Sequence, residues 1–369
     1  MILVINQYQF CDLKWTKMKK SFLLYGAYGY TGELISRFAS QYDLIPILAG
    51  RDEVKLKKLS EETGYEYVAF SLDDEEAMIA AMEGHSVFMH CAGPFIYTYE
   101  KVAAACLKTG THYLDITGEI GVFESLSKMD NEAREKGIML LPGVGFDIVP
   151  SDCMAMYLKS LMPDANQLSM SIKFGGGISR GTQNTAVGSL GSGGMIRKEG
   201  KLLPVKSAYR VRKIDFGNGP ETSVTIPWGD VSTAYHSTGI PNVMVYVTNA
   251  PVPVEFMKLT NYLGWLLDSK TVQKFMKKRI QKGPAGPTDA MREKGESLVW
   301  GEVINPGGDL IQAVFKGPEG YTLTAKTALM AIKKILNGEF KAGFQTPGTA
   351  FGMDFILELE GTNRKVIKE

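Results

Sequence analysis

The sequence predicts an α/β protein with a Rossmann-type, doubly wound parallel sheet, followed by a second α+β domain with a largely antiparallel sheet. Short apolar runs alternate with helical stretches between residues 21 and 143, and three glycines follow the first of these runs. Beyond residue 150 the segments become longer and alternate apolar with polar positions. The first pattern is typical of a parallel sheet covered by helices on both faces, and the second of antiparallel strands.

The composition suits two globular domains and a small-molecule partner. The chain has 369 residues, of which 44% are hydrophobic and 22% charged. Its 41 basic and 40 acidic residues leave a net charge of +1, so the overall charge gives no reason to expect a nucleic-acid partner. The four cysteines have no CxxC spacing, which predicts reduced thiols and a cytoplasmic protein. We expect neither a signal peptide nor a membrane-spanning helix.

The first domain is predicted to cover residues 18–150. Residues 1–17 precede a plausible start at Met18 and are expected to be an extension outside the fold. Five helical stretches connect the runs that we predict to be strands, which supports a parallel order with crossover helices. The six predicted strands are SFLLYG, LIPILAG, YEYVAF, SVFMHCAG, THYLDI and GIMLLPG.

The second domain is predicted to cover residues 151–338. The segment PSDCMAMYLKSLMPDA is expected to be a helix that links the two halves, and two later segments joined by NPGG are expected to form a hairpin. The predicted strands are QLSMSIKF, SVTIPW, NVMVYVT, SLVWGEVI and DLIQAVFK. A helical region with a lysine-rich end, EFMKLTNYLGWLLDSKTVQKFMKKRIQKG, either packs on a sheet or a second subunit or contacts lipid or an acyl chain.

The glycines Gly26, Gly29 and Gly32 lie where the first strand meets the first helix. A dinucleotide fold needs a tight turn at this place, a backbone that approaches the pyrophosphate, and a helix start packed close to the sheet. The helix N-terminus then offers an anion site. The alternative is a glycine-rich turn without a ligand. The cofactor residues predicted at this loop are Gly26, Ala27, Tyr28, Gly29, Tyr30, Thr31 and Gly32.

The end of the second strand, LAGRD, favours NADP(H) over NAD(H). An NAD site places a carboxylate at this strand end to bind the ribose hydroxyls, but Gly50 occupies the position. Arg51 follows, and its guanidinium suits a 2′-phosphate. Asp52 is either the N-cap of the next helix or, less favoured, a ribose contact. The alternative for Arg51 is a solvated surface side chain.

The ends of the later strands are expected to line the nicotinamide side of the crevice. Ala92, Gly93, Pro94 and Phe95 follow the fourth strand and complete the predicted cofactor residues. Further polar side chains follow the fifth and sixth strands, where they either orient a substrate and relay a proton or cap turns. These polar residues are Asp115, Thr117, Glu119, Asp147 and Asp152.

Proton donors and metals require separate consideration. His236 and Tyr97 are the candidates for proton donation, with Asp115 and Glu119 next. No histidine pair has metal-ligand spacing and no serine lies in a nucleophile elbow, so we expect neither a metal site nor acyl transfer. Tyr97 and Lys101 match the YxxxK spacing of short-chain reductases, but they follow the wrong strand, and we treat the match as coincidence.

Taken in order, several motifs resemble the saccharopine dehydrogenase-like family, and especially its branch of trans-acting enoyl reductases. The resemblance covers Ser21 to Met353. It implies an NADP-binding Rossmann domain, a second domain for substrate binding or dimerisation, and a C-terminal segment, residues 339–369, that returns to the first domain. It does not specify the substrate. The motifs are GAYGYTGELI, LAGRD, CAGPF, THYLDITGE, PGVGFDIVPSD, GPAGPT and GFQTPGTAFG.

These observations predict an NADP(H)-dependent oxidoreductase that transfers hydride to or from a C=C or C=N bond of a small metabolite. The alternative is a catalytically silent NADP-binding protein that regulates or scaffolds a partner. Acidic residues at the strand ends favour the enzyme.

Overall fold

The computed structural model describes residues 21–175, 177–188, 193–250, 252–267 and 269–368, so the predicted extension 1–17 lies outside the described residues. The strands are β1 Ser21–Tyr25, β2 Ile45–Gly50, β3 Tyr67–Ala69, β4 Val87–His90, β5 His112–Asp115, β6 Met139–Leu141, β7 Gln167–Phe174, β8 Gly194–Lys198, β9 Lys201–Val205, β10 Val211–Asp215, β11 Pro220–Thr225, β12 Asn242–Thr248, β13 Glu296–Ile304, β14 Leu310–Pro318, β15 Gly343–Phe344 and β16 Asn363–Lys368. The α-helices are α1 Tyr30–Phe38, α2 Glu53–Thr63, α3 Glu75–Met82, α4 Tyr99–Thr109, α5 Ile120–Leu126, α6 Asp130–Glu135, α7 Val149–Leu161, α8 Arg180–Gly188, α9 Asp230–Thr238, α10 Val254–Leu267, α11 Lys270–Ile280, α12 Asp289–Lys294, α13 Gly320–Leu336 and α14 Pro347–Phe351. Short 3₁₀ helices lie at Ala39–Tyr42, Phe95–Tyr97, Ser127–Met129 and Phe355–Glu358.

The first sheet is a seven-stranded parallel sheet with the order β15-β6-β5-β4-β1-β2-β3. All six strands predicted from the apolar runs are present, and the predicted Rossmann-type fold class is confirmed. Successive residues of β1 alternate between two cores: Phe22 and Leu24 pack on one face of the sheet, and Leu23 and Tyr25 on the other. Both faces are buried because crossover helices cover them, which explains the uninterrupted apolar runs.

The chain direction creates a crevice in the first sheet. The chain adds strands outward from β1 to β3, and it then crosses to the other side of β1 and adds β4 to β6. Ligands bind at such a switch point, beyond the carboxyl ends of the strands. The loops that follow β1, β4, β5 and β6 all reach this edge.

The second sheet has nine strands and is mostly antiparallel, as predicted. Its main path is β10-β11-β12-β7-β13-β14-β16, and β8 and β9 extend it beside β12. Of the strand pairs described in this sheet, β7 and β12 are parallel and the others antiparallel. The linking helix α7 packs on this sheet at Gly301 of β13. A Cβ on Gly301 would come within 2.6 Å of Leu158 of α7, so the glycine permits the close approach of helix and strand.

The chain passes between the two domains more than once. Helix α13 packs against α1 of the first domain, and β15 then pairs with β6 at the edge of the first sheet. The final strand β16 returns to the second sheet beside β14. Among the described helices, none has both the length and the apolar character required to cross a bilayer.

Candidate active site

The loop between β1 and α1 is built around two glycines that tolerate no side chain. Gly26 has φ +81°, and a Cβ at this position would lie 2.9 Å from the backbone of Cys91 in the loop after β4. A Cβ on Gly32 would lie 2.4 Å from the carbonyl oxygen of Gly26. Both contacts involve backbone, which cannot move aside, so the glycines hold α1 against the strand end. A Cβ on Gly29, by contrast, would meet only the oxygen of Gly26, at 3.0 Å.

Tyr28 explains why β2 ends in glycine. Its ring occupies the space beside Gly50, where a Cβ would come within 2.6 Å of a ring carbon. The Tyr28 hydroxyl accepts hydrogen bonds from the backbone N–H groups of Arg51 and Asp52, both at 3.3 Å. A side chain at the position where an NAD site carries its carboxylate would therefore collide with the Tyr28 ring.

Arg51 and Asp52 differ in what they bind. The carboxylate of Asp52 accepts the backbone N–H of Lys55 at 3.2 Å and pairs with the Lys55 ammonium at 3.0 Å, so it caps α2. This hydrogen bonding and pairing lower the pKa of Asp52. Arg51 is exposed, and its guanidinium makes no hydrogen bond or ion pair with any other described residue. It is the side chain free to accept an anionic group at this strand end.

Glu119 holds the loop that follows β4. Its two carboxylate oxygens accept the backbone N–H groups of Phe95 and Ile96, at 2.8 and 3.1 Å. Burial raises the pKa of Glu119, while these hydrogen bonds favour the ionised form. The residue therefore orients the loop containing Gly93. Tyr97 lies in the same loop, and its side chain is 77% exposed.

Asp115 is fully buried at the end of β5. It accepts hydrogen bonds from the Tyr113 hydroxyl at 2.5 Å and from the backbone N–H groups of Thr117 and Gly143, at 2.9 and 2.8 Å. Burial raises its pKa to about 7. Through its hydrogen bonds to Thr117 and Gly143, Asp115 fastens the loop after β5 to the loop after β6.

Asp147, in the loop after β6, is only partly buried and faces neighbours from both domains. Its carboxylate lies against Gly118, where a Cβ would come within 2.9 Å of Oδ2. The indole N–H of Trp228, from the second domain, donates to the Asp147 backbone oxygen at 2.7 Å. No described residue donates a hydrogen bond to the carboxylate itself, and burial raises its pKa to about 7. This carboxyl group can hold or release a proton near neutral pH.

Residues distant in the chain cover the glycine loop. The Tyr30 hydroxyl donates to the Pro287 oxygen at 2.6 Å, and its ring lies where a Cβ on Gly286 would be, at 2.7 Å. The Tyr30 ring also meets the ring of Tyr321 edge-on, with centroids 4.9 Å apart. Tyr321 in turn accepts the backbone N–H of Ser179 at 2.6 Å. The GPAGPT motif therefore serves as a partner surface for Tyr30.

His236 lies elsewhere on the interface between the domains. Its Nε2 is 3.6 Å from Glu124 of α5, and its ring meets Phe344 of β15 edge-on. His236, together with Ser232 and Arg197, lowers the pKa of Glu124 to about 2. The structure thus brings Glu119 to the loop after β4, whereas the contacts described for His236 are with α5, α9 and β15. Its role as a proton donor stays a prediction.

The remaining histidines are structural in their surroundings. His90 is fully buried, forms a 2.8 Å hydrogen bond with Thr98, and has its pKa lowered to about 3 by burial. His112 accepts the backbone N–H of Met139 at 2.9 Å, and burial lowers its pKa to about 4. No group of His, Cys, Asp or Glu residues within the described ranges is arranged to hold a metal ion.

Sequence reasoning missed Tyr321 and Trp228, and it gave Asp147 no more weight than turn capping. No local pattern reveals Tyr321 or Trp228, because each gains its position from contacts with parts of the chain tens of residues away. For Asp147, the available signal was its place after the sixth strand.

The arrangement fits NADP(H). The tight Gly26 turn, the open backbone at Gly29 and the N-terminus of α1 suit a pyrophosphate. The free guanidinium of Arg51, beside a strand end closed by Tyr28, suits a 2′-phosphate rather than two ribose hydroxyls.

Comparison with known proteins agrees with this geometry. Residues 22–141 match the family model described as "Saccharopine dehydrogenase NADP binding domain". The match confirms the resemblance seen in the sequence motifs and the predicted cofactor, NADP(H).

Two curated relatives share part of the chain. The saccharopine dehydrogenase-like oxidoreductase of Mus musculus is 27% identical over 202 residues, which are 48% of this chain and 47% of the relative. The trans-acting enoyl reductase of Mycobacterium ulcerans is 28% identical over 144 residues, which are 37% of this chain and 34% of the relative. The chain spans about half the length of the first of these relatives and about a third of the second.

A solved structure shares the overall fold. Saccharopine dehydrogenase (L-Glu forming) from Saccharomyces cerevisiae superimposes with a TM-score of 0.65 at 14% identity, over 94% of this chain and all of that one. The likeness therefore covers both domains of the fold.

Proposed function

We propose that this chain, whose residues 22–141 match the saccharopine dehydrogenase NADP binding domain, is an NADP(H)-dependent oxidoreductase acting on a C=C or C=N bond of a small metabolite. The observation that carries the proposal is Asp147: a carboxyl group without a hydrogen-bond donor among the described residues lies at the carboxyl edge of a dinucleotide-binding sheet. A module that only bound the cofactor would have no use for such a group there.

The residues of the first domain bind and orient the cofactor. Gly26, Ala27, Tyr28, Gly29, Tyr30, Thr31 and Gly32 form the pyrophosphate site, Arg51 binds the 2′-phosphate, and Ala92, Gly93, Pro94 and Phe95 line the nicotinamide side. When bound, NADP(H) supplies or accepts the hydride. Glu119 and Asp115 act as positioning residues, because each is hydrogen-bonded to the loops that form the crevice.

Asp147 is the proposed acid–base group. Reduction of a C=C or C=N bond adds a proton as well as a hydride, and oxidation removes one. Oδ2 of Asp147 holds that proton, and its pKa of about 7 permits both directions near neutral pH. Trp228 fixes the backbone of Asp147 from the second domain, so the approach of the two domains sets its position. His236 and Tyr97 remain the candidates predicted from sequence.

Two relatives indicate which bonds to test. One relative bears the name trans-acting enoyl reductase, which points to alkene chemistry. The fold is that of a saccharopine dehydrogenase, a name that points to imine chemistry. We place the protein in the cytoplasm because Cys91, Cys106 and Cys153 are free thiols. A homodimer through the second domain is compatible with the proposal but is not required by it.

The test is NADPH oxidation by the purified full chain against a panel of enoyl thioesters and of 2-oxo acids paired with amines. We expect one class to be reduced, with a rate that falls as the pH rises above about 7, because Asp147 must be protonated to donate. Asp147→Asn should lower turnover by about 10²–10⁴ with little change in NADPH affinity.

Matched variants separate the candidates for the proton donor. Tyr97→Phe and His236→Gln remove the other two groups, and we expect both to retain turnover within about tenfold of the wild type. If His236→Gln or Tyr97→Phe shows the large loss and Asp147→Asn does not, the assignment of Asp147 is wrong. If NADPH binds but no member of the panel oxidises it, the silent NADP-binding alternative gains support.

A further inference from the structure

Two consecutive helices of the second domain expose large apolar side chains. On α10, Phe256, Leu259 and Tyr262 follow one another at intervals of three residues and are 47%, 48% and 75% exposed. On α11, Phe275 is 69% exposed. The spacing places the three α10 side chains on one face of that helix.

The inner face of α10 is already in use. Val254 and Met257 pack against the cluster of Ala208, Val224 and Val247, and Thr260 is buried. The exposed side chains therefore do not belong to an incomplete core of the domain.

A concentration of positive charge lies on α11, around Phe275. Between residues 269 and 282 the sequence has six lysine or arginine residues and no acidic residue, although the whole chain has a net charge of only +1. Lys274, Lys278 and Arg279 are exposed and lie beside Phe275 on the outer face of α11. Within the described part of the chain, no carboxylate lies within ion-pair distance of these three side chains.

This combination suits an anionic lipid surface better than other partners. Apolar side chains next to unpaired cations are typical of helices that lie in the headgroup region of a bilayer. A second copy of the chain would bring two cationic faces together, which like-charge repulsion disfavours. Nucleic acid would account for the cations but not for Leu259 and the row of exposed aromatic rings.

We propose that the outer faces of α10 and α11 form a membrane-docking surface, which binds bilayers that contain anionic lipids. The exposed apolar side chains enter the headgroup boundary, and the cations contact the lipid phosphates. Each lysine or arginine near such a surface contributes about fivefold to binding. The proposal does not depend on the oxidoreductase activity.

The test is cosedimentation of the full chain with vesicles of phosphatidylcholine alone and with vesicles that also contain phosphatidylglycerol. We expect binding to the anionic vesicles only, weakened at high salt because the charges are exposed. Phe256→Ser/Phe275→Ser and, separately, Lys274→Glu/Lys278→Glu should each weaken binding at least about tenfold. The matched control on exposed helix α2, Val54→Ser/Lys57→Glu/Lys58→Glu, should bind like the wild type.

A fluorescence variant reports insertion directly. The indole introduced by Phe275→Trp should shift its emission to shorter wavelength with anionic vesicles. The proposal is overturned if the wild type does not bind these vesicles, or if the variants bind as well as it does. It is also overturned if only the charge variant loses binding, because that result indicates a general polyanion site. Loss of self-association in the aromatic variant would overturn it as well, because that result indicates that a second copy of the chain binds the surface.

Discussion

At the scale of single residues, Tyr28 and Gly50 are the residues that we propose to govern which cofactor the crevice selects. The Tyr28 ring fills the place where an NAD site has its carboxylate, and its hydroxyl accepts two backbone N–H groups that follow the strand. Arg51, directly after, is left free of intramolecular partners among the described residues. We therefore propose that selectivity for NADP(H) comes from the absent carboxylate together with the available cation of Arg51.

Replacing Arg51 tests this selectivity. We expect Arg51→Ala to weaken NADPH binding by about 1.5–3 kcal/mol, the value of a hydrogen bond to a charged group, and to leave NADH binding nearly unchanged. Lys57→Ala, which removes an exposed cation from the neighbouring helix, is the matched control. Isothermal calorimetry measures both. An equal loss for the two cofactors would mean that Arg51 does not contact the 2′-phosphate.

Gly29 and Gly32 separate cofactor binding from folding. A side chain at Gly29 meets little protein, so Gly29→Val should retain most of the stability while it blocks the backbone approach of the pyrophosphate and abolishes NADPH binding. A side chain at Gly32 collides with backbone, so Gly32→Ala should lower the free energy of unfolding. Unchanged NADPH affinity in Gly29→Val would contradict the proposed role of the loop.

At the scale of elements, the loops after β4, β5 and β6 form one connected edge. Glu119 joins the loop after β5 to the loop after β4, and Asp115 joins it to the loop after β6. Asp115 and Glu119, which the sequence predicts as catalytic candidates, therefore hold these loops together through hydrogen bonds. Apart from the Tyr113 hydroxyl, which donates to Asp115, their hydrogen-bond donors are backbone N–H groups.

We expect Glu119→Gln to loosen the loop after β4. The amide keeps one acceptor oxygen but turns its NH₂ group toward the second N–H, so about 1–3 kcal/mol of the free energy of unfolding should be lost. NADPH affinity should fall as well, because Ala92 to Phe95 belong to the proposed site. Glu100→Gln, on the exposed face of α4, serves as the control. Urea unfolding that leaves the two variants equally stable would refute the fastening role.

The elements could be predicted from sequence, but their long-range contacts could not. The six strands of residues 21–143 and the glycine turn follow from local periodicity and spacing, which depend on neighbours along the chain. The contact of Tyr30 with Pro287 joins residues 257 positions apart, and no periodicity encodes it. Trp228 beside Asp147 was missed for the same reason, so the sequence left Asp147 equally balanced between a functional residue and a turn cap.

At the scale of the whole molecule, the two domains are held together by polar contacts as well as by the shared core. Arg197 and Ser232 of the second domain donate to Glu124 of the first, and His236 lies beside the same carboxylate. Just before the helix that carries Ser232 and His236, the indole of Trp228 donates to the backbone oxygen of Asp147. The position of Asp147 in the crevice therefore depends on the docking of both domains.

Asp147 contributes to the pH dependence of stability, as does Asp115, whose pKa burial also raises to about 7. Burial raises the pKa of folded Asp147 to about 7, above the usual value of about 4 in an unfolded chain. A raised pKa stabilises the fold at low pH, and this contribution is lost as the pH rises through about 7. We therefore expect Asp147→Asn to gain stability relative to the wild type as the pH increases from about 5 to 8. The wild type and the variant share the buried histidines and Asp115, so the difference between their free energies of unfolding removes those contributions. A difference that stays constant with pH would show that the pKa of Asp147 is not raised.

The most direct measurement of the central claim is a calorimetric titration of the wild-type chain with NADPH and with NADH under the same conditions. A crevice built from the glycine loop, closed at Gly50 and completed by Arg51 should bind NADPH at least about tenfold more tightly than NADH. Equal affinities would show that the proposed 2′-phosphate site does not exist. Tighter binding of NADH would show in addition that Asp52 leaves its capping position to bind the ribose.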